Sequence, residues 1–157
     1  YPLPPTAGKP PRPKVVVGSL LLIVGAVLLL VGSVLNWAKV AYPELGLSSS
    51  FNGFADGGDT KDGPVFVFFA LVLGGFGIAM LAARKVLALS ILSVVVAVLA
   101  ALAAFADLKD VSDLADEFDS FGGALDVQVG PGLWVVLAGA VMALVGGIAT
   151  LVVRRKA

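Results

Sequence analysis

The sequence predicts an all-α integral membrane protein built as an antiparallel bundle of four transmembrane helices. Hydrophobic residues make up 59% of the 157 residues, above the roughly half that is usual in soluble domains. They are concentrated in four uncharged runs, each long enough at ~1.5 Å rise per residue to cross the ~30 Å hydrocarbon core of a bilayer. The charged residues all lie between or beyond these runs. Composition, run length and charge placement therefore favour the same fold class.

The predicted organisation is a short tail followed by one membrane domain at 15–157. Residues 1–14 carry six of the nine prolines and three basic residues, which favours an extended, solvated segment. Arg84 and Lys85 form a short turn between the second and third spans. We predict spans at about 15–37, 65–83, 86–106 and 132–153, with long loops at 38–64 and 107–131.

The orientation follows from the distribution of charge. Eight of the eleven basic residues fall on the side that holds both termini and the 84–85 turn, and all eleven acidic residues fall on the other side. Cytoplasmic segments of membrane proteins carry an excess of Lys and Arg. We therefore predict a multi-pass protein of the cell membrane with both termini cytoplasmic and both long loops outside.

Small residues recur at helical spacing along the spans. Gly18, Gly25 and Gly32 are seven residues apart in the first span, and the last span repeats this spacing. Stripes of small residues let helix backbones approach closely in lipid, where packing drives helix association. The predicted helix-packing positions are Gly18, Gly25, Gly32, Gly74, Gly75, Ser93, Ala97, Gly132, Gly139, Ala143, Gly146 and Gly147.

The two outer loops show weaker local patterns. Segments 40–47 and 48–54 have strand character, which predicts a small hairpin. Apolar residues from Leu108 to Phe121 recur every three or four positions opposite acidic ones, so we expect the third helix to continue outside the membrane as an acidic helix. Residues 125–129 alternate between apolar and polar, which is typical of a short strand.

Trp37 and Trp134 are predicted to anchor the bundle at the outer membrane interface. Each lies at the outer end of a span. Tryptophan favours the membrane–water boundary, where the ring is buried and its N–H reaches water.

Several classes of chemistry are excluded or disfavoured by composition. The chain has no Cys and no His, which removes thiolate chemistry, the commonest general base and the commonest metal ligand. No ionisable residue lies inside a predicted span, whereas proton and ion pathways need such groups. Met80 and Met142 are interpreted as packing or lipid-facing residues. We predict no catalytic residue, no metal, no cofactor and no enzymatic activity.

The acidic residues of the loops offer two interpretations. Asp56, Asp59 and Asp62 lack the alternating ligands and distal Glu of a calcium loop, so they are interpreted as loop residues. The acidic face of the third helix is interpreted first as a solvated surface that keeps the outer region soluble. The sharper hypothesis is a docking face for a basic partner, made of Asp110, Asp113, Asp116 and Glu117.

The chain is similar to two kinds of four-span protein. Unequal outer loops, a strand before the last span and cytoplasmic termini resemble the claudin-like architecture in topology only. The claudin signature places Gly-Leu-Trp and two cysteines in the first loop, whereas here Gly132-Leu133-Trp134 heads the fourth span and cysteine is absent. The chain more closely resembles small four-span membrane proteins of actinobacteria. The residues that carry this likeness are Asn36-Trp37, Asp62-Gly63-Pro64 and the GLW…GAV…GG…RR pattern of the last span.

The resemblance implies a role inside a larger assembly. Some small actinobacterial membrane proteins are accessory subunits of respiratory supercomplexes or of lipid transporters. We therefore predict a non-enzymatic accessory subunit that packs against a larger inner-membrane complex, with a respiratory supercomplex as the first choice. A component of a lipid or small-molecule transport system and a stand-alone membrane protein with an outward acidic docking surface are the alternatives. Membrane lipids are expected partners, and nucleic acid is not.

Overall fold

The structure is a computed structural model that describes residues 15–55, 62–82, 87–120, 122 and 124–155. The predicted tail, the 84–85 turn, Asp56 and Asp59 lie outside the described residues. The described part contains four long helices: α1 (Val16–Val34), α2 (Gly63–Ala82), α3 (Leu87–Ser120) and α4 (Pro131–Arg155). All four are long and apolar enough to cross a membrane. The predicted four-helix membrane fold is confirmed to that extent.

The helices pack antiparallel around a pair formed by α1 and α4. This pair makes the most extensive contact in the bundle, α2 packs mainly on α1, and α3 packs mainly on α4. The contact between α2 and α3 is the smallest of the four neighbouring contacts. The bundle therefore has an extensive central interface, or seam, between α1 and α4 and a small one between α2 and α3.

A three-stranded antiparallel sheet lies at one end of the bundle, which we call the sheet end. Its strands are β1 (Asn36–Tyr42), β2 (Leu47–Asn52) and β3 (Asp126–Val129), in the order β2-β1-β3. A single 3-10 turn, Pro43–Leu45, and Gly46 connect β1 to β2. Gly46 has a left-handed φ of 63°, which glycine adopts without steric cost. The hairpin turn therefore falls at 43–46, earlier than the predicted change of strand at 47–48.

The first helix ends three residues before the predicted end of its span. Leu35 is extended, and Asn36 and Trp37 already belong to β1. The N–H of Leu35 donates to the carbonyl of Val31, and beyond it β1 pairs with both β2 and β3. Pairing within the sheet therefore ends α1 before the apolar run itself is exhausted.

The third helix runs without a break from Leu87 to Ser120. Its apolar, uncharged part ends at Ala106, and we take that residue as the end of the membrane-spanning segment. The remaining turns from Asp107 onward carry the acidic residues and pack along β3. Buried residues follow a heptad-like spacing along the whole helix: Ser90, Ser93, Ala97, Ala100, Ala104, Asp107 and Val111.

Candidate functional site: a buried carboxyl pair at the sheet end

Asp107 is a carboxylic acid on the buried face of α3. Its side chain is only 7% exposed, and it follows Ala100 and Ala104 on the same stripe that packs into the bundle. One oxygen, Oδ2, is buried and has no hydrogen-bond partner among the described residues. Buried polar groups nearly always have partners, because an unmade hydrogen bond costs free energy. Asp107 therefore stands out from the solvated acids that follow it.

The partner of Asp107 is a second carboxyl group, on Asp62. Asp62 immediately precedes α2, and its carbonyl accepts a hydrogen bond from the N–H of Phe66 at 3.1 Å. The carboxyl group of Asp62 is close enough to raise the pKa of Asp107 both by its charge and by hydrogen bonding. A hydrogen bond between the two carboxyl groups requires a proton on one of them, because two ionised carboxylates offer only acceptors. Asp62 and Asp107 therefore lie together at the sheet ends of α2 and α3.

The environment of Asp107 raises its pKa to about 7. Burial contributes most, because a low-dielectric surrounding disfavours the ionised form. The negative charge of Asp62, the hydrogen bond with Asp62 and the negative charge of Asp110 act in the same direction. The carboxyl group of Asp107 therefore changes its protonation near neutral pH, where an ordinary aspartate is fully ionised.

Trp37 is buried at the sheet end of the bundle. Its side chain is 2% exposed, and its indole N–H donates to the carbonyl of Gly32 at 2.9 Å. Its ring meets the ring of Phe66 edge-on, with centroids 5.6 Å apart. A hydrogen bond to the protein takes the place of the water contact expected for an interfacial anchor. Trp37 therefore connects β1 to the helices α1 and α2.

Trp134 differs from Trp37 because it lies on the surface. It is 56% exposed near the start of α4, where it borders a shallow apolar groove. The groove has a volume of about 550 Å³. Its lining residues come from α1 and α4 and are Leu21, Trp134, Leu137, Ala138, Val141, Met142 and Val145.

The predicted glycine stripes of the first and last spans face each other across the seam between α1 and α4. A Cβ added to Gly18 would lie 2.8 Å from the carbonyl oxygen of Gly146, and one on Gly32 would lie 2.9 Å from that of Gly132. Gly25 meets both Gly139 and Ala143 in the same way. These residues therefore form the contact between α1 and α4 inside the bundle.

Among the remaining predicted helix-packing positions, some contact a neighbouring helix and others do not. Gly147 lies against α3, where an added Cβ would be 2.9 Å from the side chain of Val94 and 3.2 Å from the hydroxyl of Ser93. Ala97 is fully buried. A Cβ on Gly74 would be 3.3 Å from Ala26, whereas one on Gly75 would meet nothing within 4 Å. Gly75 thus lies on the outward face of α2.

Hydroxyl groups inside the spans are mostly satisfied by their own helices. Ser33, Ser93 and Thr150 each donate to the carbonyl three residues earlier, at 2.6–2.8 Å. Ser90 lies 3.9 Å from the sulfur of Met80, and the hydroxyl of Ser19 has no partner among the described residues. Local bonding of this kind needs no ligand.

The predicted acidic docking residues all lie on the surface. Asp110, Asp113, Asp116 and Glu117 are exposed along the part of α3 beyond Ala106. Within the described residues, no three acidic side chains come together in a group able to hold a metal ion. These exposed acids follow the buried Asp107 along α3, with the exposed Lys109 just before them.

The hairpin of the sheet end exposes apolar side chains. Leu45 is 70% exposed and Leu47 is 62% exposed at its tip, and Phe51 is 41% exposed on β2. Every residue of β2 except Asn52 is exposed. Contiguous patches of exposed apolar groups commonly mark interaction surfaces.

Comparisons with known proteins leave the chain without an assigned family. No protein-family model and no curated protein matches this chain. The candidate sites therefore depend on the geometry described above.

Sequence reasoning did not identify the Asp62–Asp107 pair. The predicted limits place Asp107 just after the third span and Asp62 in the first long loop. The available signal was the register of α3: continuing the small-residue stripe from Ser93 and Ala97 in steps of three and four reaches Asp107. The meeting with Asp62 depends on the packing of α2 and could not be read from spacing.

Proposed function

We propose that this protein is a non-enzymatic accessory subunit that binds a larger membrane complex through the hairpin of its sheet end. The observation that carries the proposal is the exposure of three apolar side chains along the hairpin, Leu45, Leu47 and Phe51. Water-exposed apolar area costs roughly 25 cal/mol per Å² relative to burial, so covering these side chains with a partner protein is favourable. The proposed orientation has both termini in the cytoplasm and the sheet outside, in line with the positive-inside rule.

The position of β2 at the edge of the sheet supports a protein partner. β2 is an edge strand, paired with β1 on one side only. Edge strands present unpaired N–H and C=O groups that can accept a strand from another chain. The acidic face of α3, at Asp110, Asp113, Asp116 and Glu117, adds a preference for a basic surface on the same partner. A respiratory supercomplex is the first complex to examine.

The glycine stripes do not support a large additional interface inside the membrane. The stripes of α1 and α4 are occupied by each other. Gly75 and its exposed neighbours Leu71 and Ile78 remain available on α2. The proposal therefore depends on the sheet end more than on the spans.

The test is purification of the tagged protein from native membranes in mild detergent, with mass spectrometry of the proteins that co-purify. The informative variant is Leu45→Ser combined with Leu47→Ser, which removes the apolar tip. We expect it to lose the co-purifying complex while keeping its expression level and its elution as a folded bundle. The matched control is Ile148→Ser, a half-exposed apolar residue of α4 that lies away from the hairpin. A wild-type protein that elutes alone, or a tip variant that still retains its partners, would contradict the proposal.

A role in lipid handling is the second candidate, favoured by the groove beside Trp134. Its lining is almost entirely apolar, and at about 550 Å³ it accommodates part of an acyl chain. Substituting Ala138→Phe would fill the groove from α4. Lipid analysis by native mass spectrometry should then show loss of a retained lipid, and equal lipid retention by both proteins would exclude this candidate.

A further inference from the structure

Two acidic side chains lie at the sheet end of the interface between α2 and α3, the smallest interface between neighbouring helices in the bundle. α2 and α3 share the smallest of the neighbouring helix contacts, and Asp62 and Asp107 meet across it. The side chain of Asp107 is only 7% exposed. Its Oδ2 has no hydrogen-bond partner among the described residues. Two ionised carboxylates in such a place would repel one another and would leave a buried charge uncompensated.

No basic group among the described residues neutralises the pair. Asp62 precedes α2 and Asp110 lies one turn along α3, and both add negative charge near Asp107. α4 contributes no ionisable residue before Arg154. Lys39 on the sheet and Lys109 on α3 are both exposed. On β3, Asp126 accepts a hydrogen bond from Gln128 at 2.8 Å. Asp56, Asp59 and Lys61 lie outside the described residues.

We propose that Asp62 and Asp107 bind one proton between α2 and α3, and that release of this proton separates the sheet-side ends of the two helices. With the proton bound, the O–H of one carboxyl donates to the other and joins the helices. Without it, the pair holds two negative charges beside Asp110, and the seam offers little other contact to oppose their repulsion.

The contacts of α2 show how this change reaches the sheet. The carbonyl of Asp62 accepts the N–H of Phe66, and the ring of Phe66 packs edge-on against Trp37. Trp37 is the residue of β1 that joins the sheet to the bundle. Displacement of Asp62 therefore shifts Phe66 and, through it, Trp37 of β1. The surrounding pH thereby controls the position of the hairpin, independently of which partner the hairpin binds.

Spin-label distance measurements test this proposal directly. The chain has no native cysteine, so Val65→Cys combined with Ala106→Cys places two labels on exposed positions beside the pair. In detergent or nanodiscs, we expect a longer distance, or a broader distribution reaching longer distances, at pH 8.5 than at pH 5.5. A second label pair, Leu81→Cys with Leu87→Cys, lies at the opposite end of the same helices and should not change.

The variant Asp107→Asn separates the proton from other effects of pH. Asparagine has nearly the same shape, and its amide N–H donates to Asp62 at every pH, so the distance should stay short at both pH values. Asp62→Asn provides the same test from the other helix. An unchanged wild-type distance between pH 5.5 and 8.5, or a pH response that persists in both Asn variants, would overturn the proposal.

Discussion

Gly25 of α1 and Gly139 of α4 lie against each other at the centre of the bundle. A Cβ on Gly25 would be 2.7 Å from the carbonyl oxygen of Gly139, and a Cβ on Gly139 would be 2.8 Å from that of Gly25. The same relationship recurs one heptad away between Gly18 and Gly146. This reciprocal spacing permits the close approach of backbones that stabilises helix pairs in lipid.

We expect Gly25→Val to destabilise the bundle. The added side chain overlaps backbone atoms of α4, so the two helices must move apart at a cost of about 1–3 kcal/mol. Thermal unfolding in detergent, followed by circular dichroism, measures the effect. The control is Gly75→Ala, where the Cβ enters open space and helix propensity predicts a change between neutral and about 1 kcal/mol stabilising. Equal destabilisation by both variants would contradict the proposed role of the α1–α4 seam.

Trp37 is expected to support the sheet end through both its ring and its N–H. Trp37→Phe keeps an aromatic ring but removes the donor to Gly32, which should cost about 1–3 kcal/mol for the unpaired group and the smaller side chain. Trp134→Phe is the matched control, because Trp134 is exposed and should change stability by less than about 1 kcal/mol. Unfolding midpoints of the two variants compare the two positions. A larger effect at Trp134 would indicate that the surface tryptophan, and not the buried one, stabilises the fold.

The stability of the protein should depend on pH through Asp107. Its pKa is about 7 when folded and 3.8 in the absence of the fold, so the folded state binds the proton more tightly. The stabilising contribution is therefore complete at low pH and is lost as the pH rises from about 4 through about 7.

The unfolding temperatures of wild type and Asp107→Asn at pH 5.5 and pH 8.5 measure this contribution. We expect the wild-type midpoint to fall relative to the variant by on the order of 5 °C between these values. Asp113→Asn, an exposed acid on the same helix, is the control and should track the wild type. If Asp107→Asn and Asp113→Asn show the same pH dependence, Asp107 is not the group responsible.

The proposed orientation predicts which side of the membrane each segment occupies. Because the chain has no cysteine, each of two single variants carries one thiol. Ser112→Cys places it on an exposed position of α3, and Thr6→Cys places it in the N-terminal tail. A membrane-impermeant maleimide applied to intact cells should label the cysteine at 112 and not the one at 6. After permeabilisation, both should be labelled. The reverse pattern would invert the topology and move the hairpin to the cytoplasm.

The four long helices, their approximate limits and the segments with strand character could all be predicted from the amino-acid sequence. Those features depend on local properties: run length, periodicity and the positions of Pro and Gly. The continuation of α3 into its acidic turns was predicted from the spacing between Leu108 and Phe121, and α3 extends to Ser120. The spacing of Gly18, Gly25 and Gly32 likewise marked a packing face.

What these faces contact depends on how the helices pack and could not be predicted from the sequence. The same glycine stripe suits a sister helix or a foreign one, because close approach is a property of both surfaces; here α4 supplies the matching stripe. Trp37 is buried because β1 turns it beneath the sheet and against Phe66, a contact that run length cannot reveal. The Asp62–Asp107 pair arises from residues 45 positions apart in the chain, and its altered pKa depends on burial and charge that only packing creates.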